Sequence, residues 1–289
     1  MTYTERYRIK PRSHPKLKDI DSKDTAELRG KTEAEMLLAQ SVERLSASQD
    51  LLFAQDQWSL LVILQAMDAA GKDSTVKHVM TGVNPRGCKI VSFGAPSKEE
   101  LDHDYLWRTV HQLPERGMIG IHNRSHYEEV IVTKVHPGIL QSQRMPDASK
   151  GPDAIKRRYK EINRFEKYLV DQGTVVIKFF LHVSRREQWR RFRERMEEPE
   201  KYWKFQAHDL GERAHWAEYM SAYEEVFHHT STKHAPWFVI PSDHKWFAWV
   251  AVAEIINETL AGLKLHYPEV PDAVRAEWQK ARDELAKLV

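Results

Sequence analysis

A run of apolar residues, Leu60 to Leu64, leads directly into a turn of small residues, then a Lys, then the start of a helix. The turn reads Gln65-Ala66-Met67-Asp68-Ala69-Ala70-Gly71-Lys72-Asp73-Ser74-Thr75, and the pattern after it predicts a helix from Ser74 to Met80. Small side chains let backbone N–H groups surround an anion, the helix N-terminus adds partial positive charge, and Lys72 adds a full charge. The segment therefore predicts a phosphate-binding loop.

The loop matches the Walker A pattern, Gly-x4-Gly-Lys-Ser/Thr, only in part. Ala66 replaces the first Gly, Gly71 and Lys72 fit, and Asp73 stands where the magnesium-binding hydroxyl is expected. The alternative is an ordinary strand-to-helix turn with a surface Lys. Asp68 argues against that alternative, because a carboxylate beside a phosphate is repelled unless a cation lies between them. Asp68 thus predicts bound Mg²⁺.

Strand and helix patterns alternate along the chain. The predicted strands are at residues 60–64, 88–93, 118–121, 174–183 and 237–240. Because the central runs are apolar on both faces, we expect parallel strands covered by helices on both sides, which is a three-layer α/β domain. Ligands of such sheets bind beyond the carboxyl ends of the strands. Asp68 and Arg124 each follow a strand end, so both should face one cleft.

The first part of the chain has a different character. Residues 1–31 are polar and basic and predict an extended arm. Residues 32–55 predict an amphipathic helix that breaks near the small residues 46–48, the stretch 97–112 predicts one helix, and 138–151 predicts a loop. We therefore divide the chain into an arm and helix that pack on the core, 1–55, and a main α/β domain, 56–289.

The segment from His122 to Glu129 follows the third predicted strand. An Arg at a strand end, opposite a phosphate loop, can stabilise charge on a phosphoryl group in transfer. Alternatively, Arg124 is a structural ion-pair partner. His122 and His126 have the i, i+4 spacing of some zinc sites, but the sequence shows no third ligand, so we do not predict zinc.

A strongly basic helix is predicted after the fourth strand. Its arginines are Arg185, Arg186, Arg190, Arg191, Arg193 and Arg195. Trp189, Phe192 and Met196 predict a packing stripe. One interpretation is a solvated helix with Glu–Arg pairs, each worth a few tenths of a kcal/mol. The excess of Arg and the position beside the cleft favour a mobile cationic lid, at about 184–210, that closes over a large anion.

Residues 201–205, Lys-Tyr-Trp-Lys-Phe, place aromatic side chains next to cations. Such residues can stack a nucleobase or pack the base of the lid against the body, and we favour packing.

Composition limits the partners. The formal net charge is only +2, with 44 basic and 42 acidic residues, so nucleic acid and membranes are not expected partners and any polyanion site must be local. The single Cys, Cys88, excludes an internal disulfide and fits a reducing compartment. The sequence shows no signal peptide and no apolar run of roughly 20 residues, which predicts a cytoplasmic protein.

Several blocks in the same order resemble the second polyphosphate kinase family, from about residue 15 to 262. They are the loop 65–75, Asn123-Arg124-Ser125-His126-Tyr127-Glu128, Val132-Thr133-Lys134-Val135-His136-Pro137, Glu198-Pro199-Glu200-Lys201-Tyr202-Trp203-Lys204-Phe205 and His234-Ala235-Pro236-Trp237-Phe238-Val239-Ile240-Pro241. The resemblance implies a P-loop kinase-like fold similar to thymidylate kinase, with a helical lid. It also implies phosphoryl transfer between inorganic polyphosphate and nucleotides, Mg²⁺ or Mn²⁺ as cofactor, and a homo-oligomer, a dimer or tetramer.

The resemblance also implies roles for individual residues. Asp68, Lys72 and Arg124 correspond to the family's catalytic Asp, Lys and Arg, and Asp68 would bind the metal. Lys134 stands where many members have Arg. The expected polyphosphate-binding residues are Ala69, Ala70, Gly71, Asp73, Ser74, Thr75, Lys134, Arg185, Arg186, Arg190, Arg191 and Arg195.

The second block departs from the Asp-Arg-Ser-Trp-Tyr-Asn of many members. Asn123 and Glu128 at this block resemble the class III group, whose members phosphorylate both AMP and ADP, and we expect these two residues to help place metal, water or the acceptor. We therefore expect AMP, ADP and ATP as nucleotides. Two other functions remain open: an NTP-dependent nucleotide kinase on the same fold, and a non-catalytic polyanion-binding module.

Overall fold

A computed structural model describes residues 1–205 and 208–287. It contains a parallel sheet of five strands in the order β2-β3-β1-β4-β5. The strands are β1 (Ser59–Gln65), β2 (Cys88–Ser92), β3 (Ile119–Asn123), β4 (Thr174–His182) and β5 (Trp237–Pro241). Leu64 lies beside Asn123 on one side and Phe179 on the other, so the carboxyl ends of the three central strands meet at one edge.

Helices lie on both sides of this sheet. They are α1 (Tyr3–Tyr7), α2 (Lys31–Gln55), α3 (Lys72–Val79), α4 (Lys98–Leu101), α5 (Trp107–Val110), α6 (Glu128–Val135), α7 (Pro137–Ser142), α8 (Ala154–Asp171), α9 (Arg185–Glu197), α10 (His208–Ala214), α11 (Trp216–Thr230), α12 (Lys245–Ala261) and α13 (Asp272–Leu285). Helices α2, α3 and α12 pack together as one layer, and α6, α8 and α11 form the other. The predicted three-layer α/β architecture is therefore confirmed.

The strand patterns follow from position in the sheet. Every residue of β1, β3 and β5 is buried, whereas β2, at the edge, is partly exposed along its length. The N-terminal arm lies against the far edge, where the Ile9 N–H donates to the Trp237 carbonyl at 2.8 Å. The division of the chain between residues 55 and 56 stays a prediction. None of the helices in the described ranges is long and apolar enough to cross a bilayer.

Three local predictions were wrong. Helix α2 is continuous through residues 46–48, because its packing along α12 outweighs the weak helix propensity of two Ser residues. The single helix expected at 97–112 is instead α4 and α5. Asp104 lies between them, and its carboxylate accepts the N–H of Leu106 at 3.0 Å, a local bond that competes with the helix. Part of the loop expected at 138–151 is α7, which begins at Pro137.

One ion pair lies inside the core, behind the sheet edge that carries Arg124. Lys178 of β4 and Glu166 of α8 are both fully buried, with Nζ and Oε2 2.5 Å apart. Lys178 also donates to the hydroxyl of Tyr127 and the carbonyl of Thr230, each at 2.9 Å, and the Tyr127 hydroxyl donates to Glu166 at 2.8 Å. Burial lowers the pKa of Lys178, although Glu166 opposes that shift.

We predict that Lys178→Met destabilises the protein by about 3–5 kcal/mol, because Glu166 would remain buried without its partner. Adding Glu166→Leu should recover most of that loss, since no buried charge is then left uncompensated. Urea unfolding of the native protein, the single variant and the double variant measures both effects. A double variant no more stable than Lys178→Met would contradict this interpretation of the pair.

Candidate active site

The loop between β1 and α3 is bent by two residues in the left-handed region, Ala69 with φ of 60° and Gly71 with φ of 112°. Helix α3 begins directly afterwards, at Lys72, two residues earlier than predicted. Thr75 is buried, and its hydroxyl donates to the Gly71 carbonyl at 3.0 Å, so it closes the first turn of the helix. The curled backbone and the helix N-terminus together form the kind of concave surface that binds an anion.

Lys72 folds back over this loop. Its Nζ donates to the Ala66 carbonyl at 3.0 Å and lies 3.5 Å from the Met67 carbonyl. Burial, together with the neighbouring charge of Arg124, lowers the pKa of Lys72 to about 8, whereas Asp68 opposes the shift. A bound anion would restore the ordinary pKa, so the site is electrostatically prepared for negative charge.

Arg124 follows β3 in the left-handed region, with φ of 64°. Its N–H donates to the Leu64 carbonyl at 2.9 Å, and its side chain points across to the phosphate loop. There Nη2 lies 2.8 Å from Asp68 Oδ1, and Nη1 lies 3.7 Å from Glu128 Oε2. Burial alone would lower the pKa of Arg124, but Glu128 and Asp68 raise it above its ordinary value. The structure thus brings Asp68, Lys72 and Arg124 together.

In the sequence, Asn123 directly precedes Arg124, and Glu128 follows it by four residues. The Asn123 side-chain amide donates to Asp73 at 2.6 Å and lies 3.4 Å from the Ser92 hydroxyl, while its Oδ1 is buried and has no hydrogen-bond partner among the described residues. Burial raises the pKa of Glu128, against the effect of Arg124. Asn123 thus lines the cleft with a buried acceptor atom that has no partner among the described residues.

A cleft of about 390 Å³ opens over the loop. Besides the residues of the loop and β3, it is lined by side chains from β2, α9, the turn after α9, and α10 and α12: Ser92, Phe93, Arg191, Glu194, Arg195, Lys201, Trp203, Lys204, Asp209 and Lys245. Cations therefore line the cleft from three further elements, which are α9, the turn after α9, and α12. A cleft of this kind fits an extended chain of negative charges.

The comparisons with known proteins agree with this geometry. The family model for polyphosphate kinase 2 (PPK2) matches residues 29–267. The chain belongs to this family. Among curated relatives, an ADP-polyphosphate phosphotransferase of Rhodopseudomonas palustris is 49% identical over 87% of each chain. An AMP/ADP-polyphosphate phosphotransferase of Meiothermus ruber is 43% identical over 92% of this chain and 96% of its own.

A solved structure supports the same fold. The crystal structure of polyphosphate kinase 2 from Arthrobacter aurescens TC1 matches with a TM-score of 0.86 and 38% identity, covering 97% of both chains. The P-loop kinase-like fold expected from the sequence is therefore confirmed for this polyphosphate kinase 2 chain.

The predicted lid arginines occupy different environments. Arg195 lines the cleft, 3.4 Å from Asp209. Arg190 is paired with Glu187 and Glu194 on the outer face, while Arg185 and Arg186 are exposed outside the lining of the cleft. Lys134 is also outside it, paired with Glu225. For all of these residues, including Arg195, the polyphosphate contact stays a prediction.

Two packing predictions for the lid were wrong. Of the stripe expected along α9, only Phe192 is buried, whereas Trp189 and Met196 are exposed, because α9 contacts the body along a narrower face. Trp203 does not pack against the body either. Its side chain is 77% exposed and borders the cleft.

Sequence reasoning missed Lys245, Ser92 and Phe93. Lys245 begins α12 just beyond β5, and Ser92 ends β2, so both lie at the carboxyl ends of strands. Ligands of parallel sheets bind beyond the carboxyl ends of the strands. This rule, which predicted Asp68 and Arg124 in the cleft, also predicts these residues there.

The donor set fits Mg²⁺. Within residues 1–205 and 208–287, no group of three His, Cys, Asp or Glu side chains forms a ready-made metal site. Mg²⁺ usually takes only one or two protein carboxylates and completes its shell with substrate phosphates and water. Asp68 meets that requirement, since its side chain is 25% exposed at the cleft. Binding of the expected cation at Asp68 stays a prediction.

We predict that polyphosphate binding weakens as pH rises through about 8. Below this pKa Lys72 is charged in the free protein, and above it the charge is lost before the ligand arrives. Calorimetry with polyphosphate in EDTA, from pH 6.5 to 9.5, measures the trend. Lys72→Arg should move the decline to higher pH, and Lys77→Arg, an exposed control on the same helix, should not. A constant affinity across pH 8 would contradict the prediction.

Proposed function

We propose that this protein transfers phosphoryl groups between inorganic polyphosphate and adenine nucleotides, converting AMP to ADP and ADP to ATP. One observation carries the proposal: Asp68, Lys72 and Arg124 meet beneath a cleft whose remaining walls carry Arg195, Lys201, Lys204 and Lys245. The names of the relatives from Rhodopseudomonas palustris and Meiothermus ruber support polyphosphate and AMP or ADP as substrates.

Polyphosphate would lie along the cationic side of the cleft, from the loop 69–75 towards Arg195 and Lys204. The terminal phosphate oxygen of the nucleotide attacks the terminal phosphorus of the polyphosphate, the bridging P–O bond to that phosphorus breaks, and a polyphosphate shorter by one unit leaves. The transition state is loose, so the protein contributes position and charge neutralisation rather than covalent chemistry. Lys72 and Arg124 stabilise the moving group, and the loop N–H groups hold the donor chain.

Mg²⁺, or Mn²⁺ in its place, would be held by Asp68 and by the phosphates, and would supply charge neutralisation between donor and acceptor. Asn123, with its unpartnered Oδ1, and Glu128 would place water or the acceptor phosphate beside Arg124.

A second cavity, of about 550 Å³, is the proposed position of the nucleoside. It lies between the segment that holds α4 and α5 and the start of α8, and it combines apolar side chains such as Leu101 and Leu106 with Arg108. Arg108 is stacked 5.0 Å above the ring of Phe93, which lines the cleft, so the two spaces share a wall. A nucleotide could thus place its base here and its phosphate at Arg124.

Leu101→Trp should reduce the free volume of this cavity and raise the KM for AMP and ADP about tenfold or more, with little change in the KM for polyphosphate. Met36→Trp, an exposed substitution on α2, is the control for the added indole. Steady-state kinetics with each substrate varied in turn separates the two effects. An unchanged nucleotide KM in Leu101→Trp would place the nucleoside elsewhere.

The main test is incubation with long-chain polyphosphate, Mg²⁺ and either AMP or ADP, followed by separation of the nucleotides. ADP and then ATP should form from AMP. Lys72→Ala and Asp68→Asn should each lower kcat by about 10²-fold or more while the unfolding curve is retained, and Lys77→Ala should not.

Other outcomes identify the alternatives. ATP from ADP alone would keep the polyphosphate reaction and remove the AMP step. Phosphorylation with ATP as the only effective donor would indicate an NTP-dependent nucleotide kinase. Binding of polyphosphate without turnover would indicate a polyanion-binding module.

The assembly and location are further parts of the proposal. We propose a homo-oligomer, a dimer or tetramer, on the resemblance to the family, and light scattering in solution measures it. We propose a cytoplasmic location on the presence of a single, unpaired Cys.

A further inference from the structure

We infer that Gln188 and Arg191 of α9, together with Ser242, are positioning residues that hold the carbonyl groups of the phosphate loop away from the cleft. The inference rests on the proposed function only in taking phosphate as the ligand of the loop. It assigns the first half of α9 a role other than direct contact with polyphosphate.

The carbonyl groups of the loop each have a side-chain donor. Lys72 Nζ donates to the first two carbonyls, those of Ala66 and Met67. Gln188 Nε2 donates to the Asp68 carbonyl at 2.9 Å. Arg191 Nη1 donates to the Ala69 carbonyl at 3.0 Å and to the Ala70 carbonyl at 2.7 Å, and the Ser242 hydroxyl also donates to Ala70, at 2.8 Å. Consecutive carbonyls from residue 66 to residue 70 are thereby engaged by side chains.

The orientation of these peptide groups is important because each is a dipole, negative at the C=O end and positive at the N–H end. A carbonyl that faces a phosphate repels it, whereas an N–H group that faces it binds it. The N–H groups of Asp68, Ala69 and Gly71 donate to no acceptor within the described residues. Fixing the carbonyls therefore leaves a set of unused donors in the loop, which is the condition for an anion site.

Arg191 has no donor left for a phosphate. Its guanidinium carries five N–H bonds. Nε donates to Glu187 at 2.8 Å, Nη1 serves the two loop carbonyls, and Nη2 serves the carbonyls of Ser242 and Asp243. The residue is 2% exposed. In this inference Arg191 holds the loop in position, in place of the direct contact with polyphosphate that the sequence predicts.

The three side chains also connect separate parts of the chain. Gln188, Arg191 and Ser242 are each no more than 2% exposed, and they join α9 and the turn after β5 to the loop after β1. The first half of α9 is thus held against the phosphate loop by the hydrogen bonds of Gln188 and Arg191. The second half of the helix carries Arg195, which lines the cleft and has no hydrogen bond to the loop within the described residues, so that part and the turn after it are what remains to act as a lid.

The experiment compares Arg191→Lys with Arg195→Lys. Both substitutions keep the charge, but Lys has only three donors and cannot reproduce the fork of bonds that Arg191 makes. We expect Arg191→Lys to weaken polyphosphate binding at least tenfold, and Arg195→Lys to weaken it less than threefold. Calorimetry with polyphosphate at several KCl concentrations gives both the affinity and its salt dependence.

The salt dependence separates positioning from direct binding of phosphate. The slope of log K against log salt falls by roughly 0.7–0.9 for each phosphate that the protein no longer neutralises. The slope should stay at the native value in Arg191→Lys and should fall in Arg195→Gln. Ser242→Ala, which removes one donor to Ala70 without changing charge, should weaken binding about twofold to fivefold with the native slope.

Three results would overturn the inference. They are native affinity in folded Arg191→Lys, native affinity in Ser242→Ala, and a salt slope that falls in Arg191→Lys as it does in Arg195→Gln. Circular dichroism and urea unfolding establish that each variant is folded, and Ser242→Ala tests the inference if Arg191→Lys is not. Absence of polyphosphate binding by the native protein would instead contradict the proposed function.

Discussion

The cations gathered around one cleft repel one another, and this repulsion has to be offset for the site to form. Two like charges 5 Å apart repel by ~3 kcal/mol at an effective dielectric constant of 20. Carboxylates offset this repulsion while the cleft holds no phosphate: Asp68 and Glu128 face Arg124, Asp209 faces Arg195, and Glu198 faces Lys201. A phosphate chain can take over these roles, so the charge arrangement that stabilises the free protein also favours binding.

Buried residues of the core hold the segment that carries Arg124 in position. The left-handed backbone of Arg124 costs of order 1 kcal/mol and persists only where its surroundings hold it. Three residues further on, Tyr127 is fully buried and bonded to Glu166, which pairs with Lys178. The buried pair adds little net stability in itself. Its value is that it anchors the segment carrying Arg124 and Glu128 to the sheet.

Much of the site could be predicted from the sequence because it depends on local order and on a general property of parallel sheets. Asp68 and Lys72 share one loop, and Arg124 follows another strand, so the meeting of strand ends was enough to bring them together. The lid was harder. Helical spacing shows that Arg191 and Arg195 share a face, but Arg191 is buried against the loop, whereas Arg195 is partly exposed and pairs with Asp209. Lys245 lies some 170 residues after the loop, and only its position beyond the end of β5 connects it with the site.

The α/β class, the phosphate loop and the residues able to neutralise phosphate could be predicted from the chain alone, because they depend on hydrophobic pattern, small residues and charge within short windows. Which arginines bond to the backbone and which remain partly exposed at the cleft follows only from the fold. That distinction depends on what lies opposite each side chain. Arg191 meets four carbonyl oxygens from two distant loops, whereas Arg195 meets Asp209 at the open cleft. Identical side chains one helical turn apart therefore differ in role through contacts that only the folded chain creates.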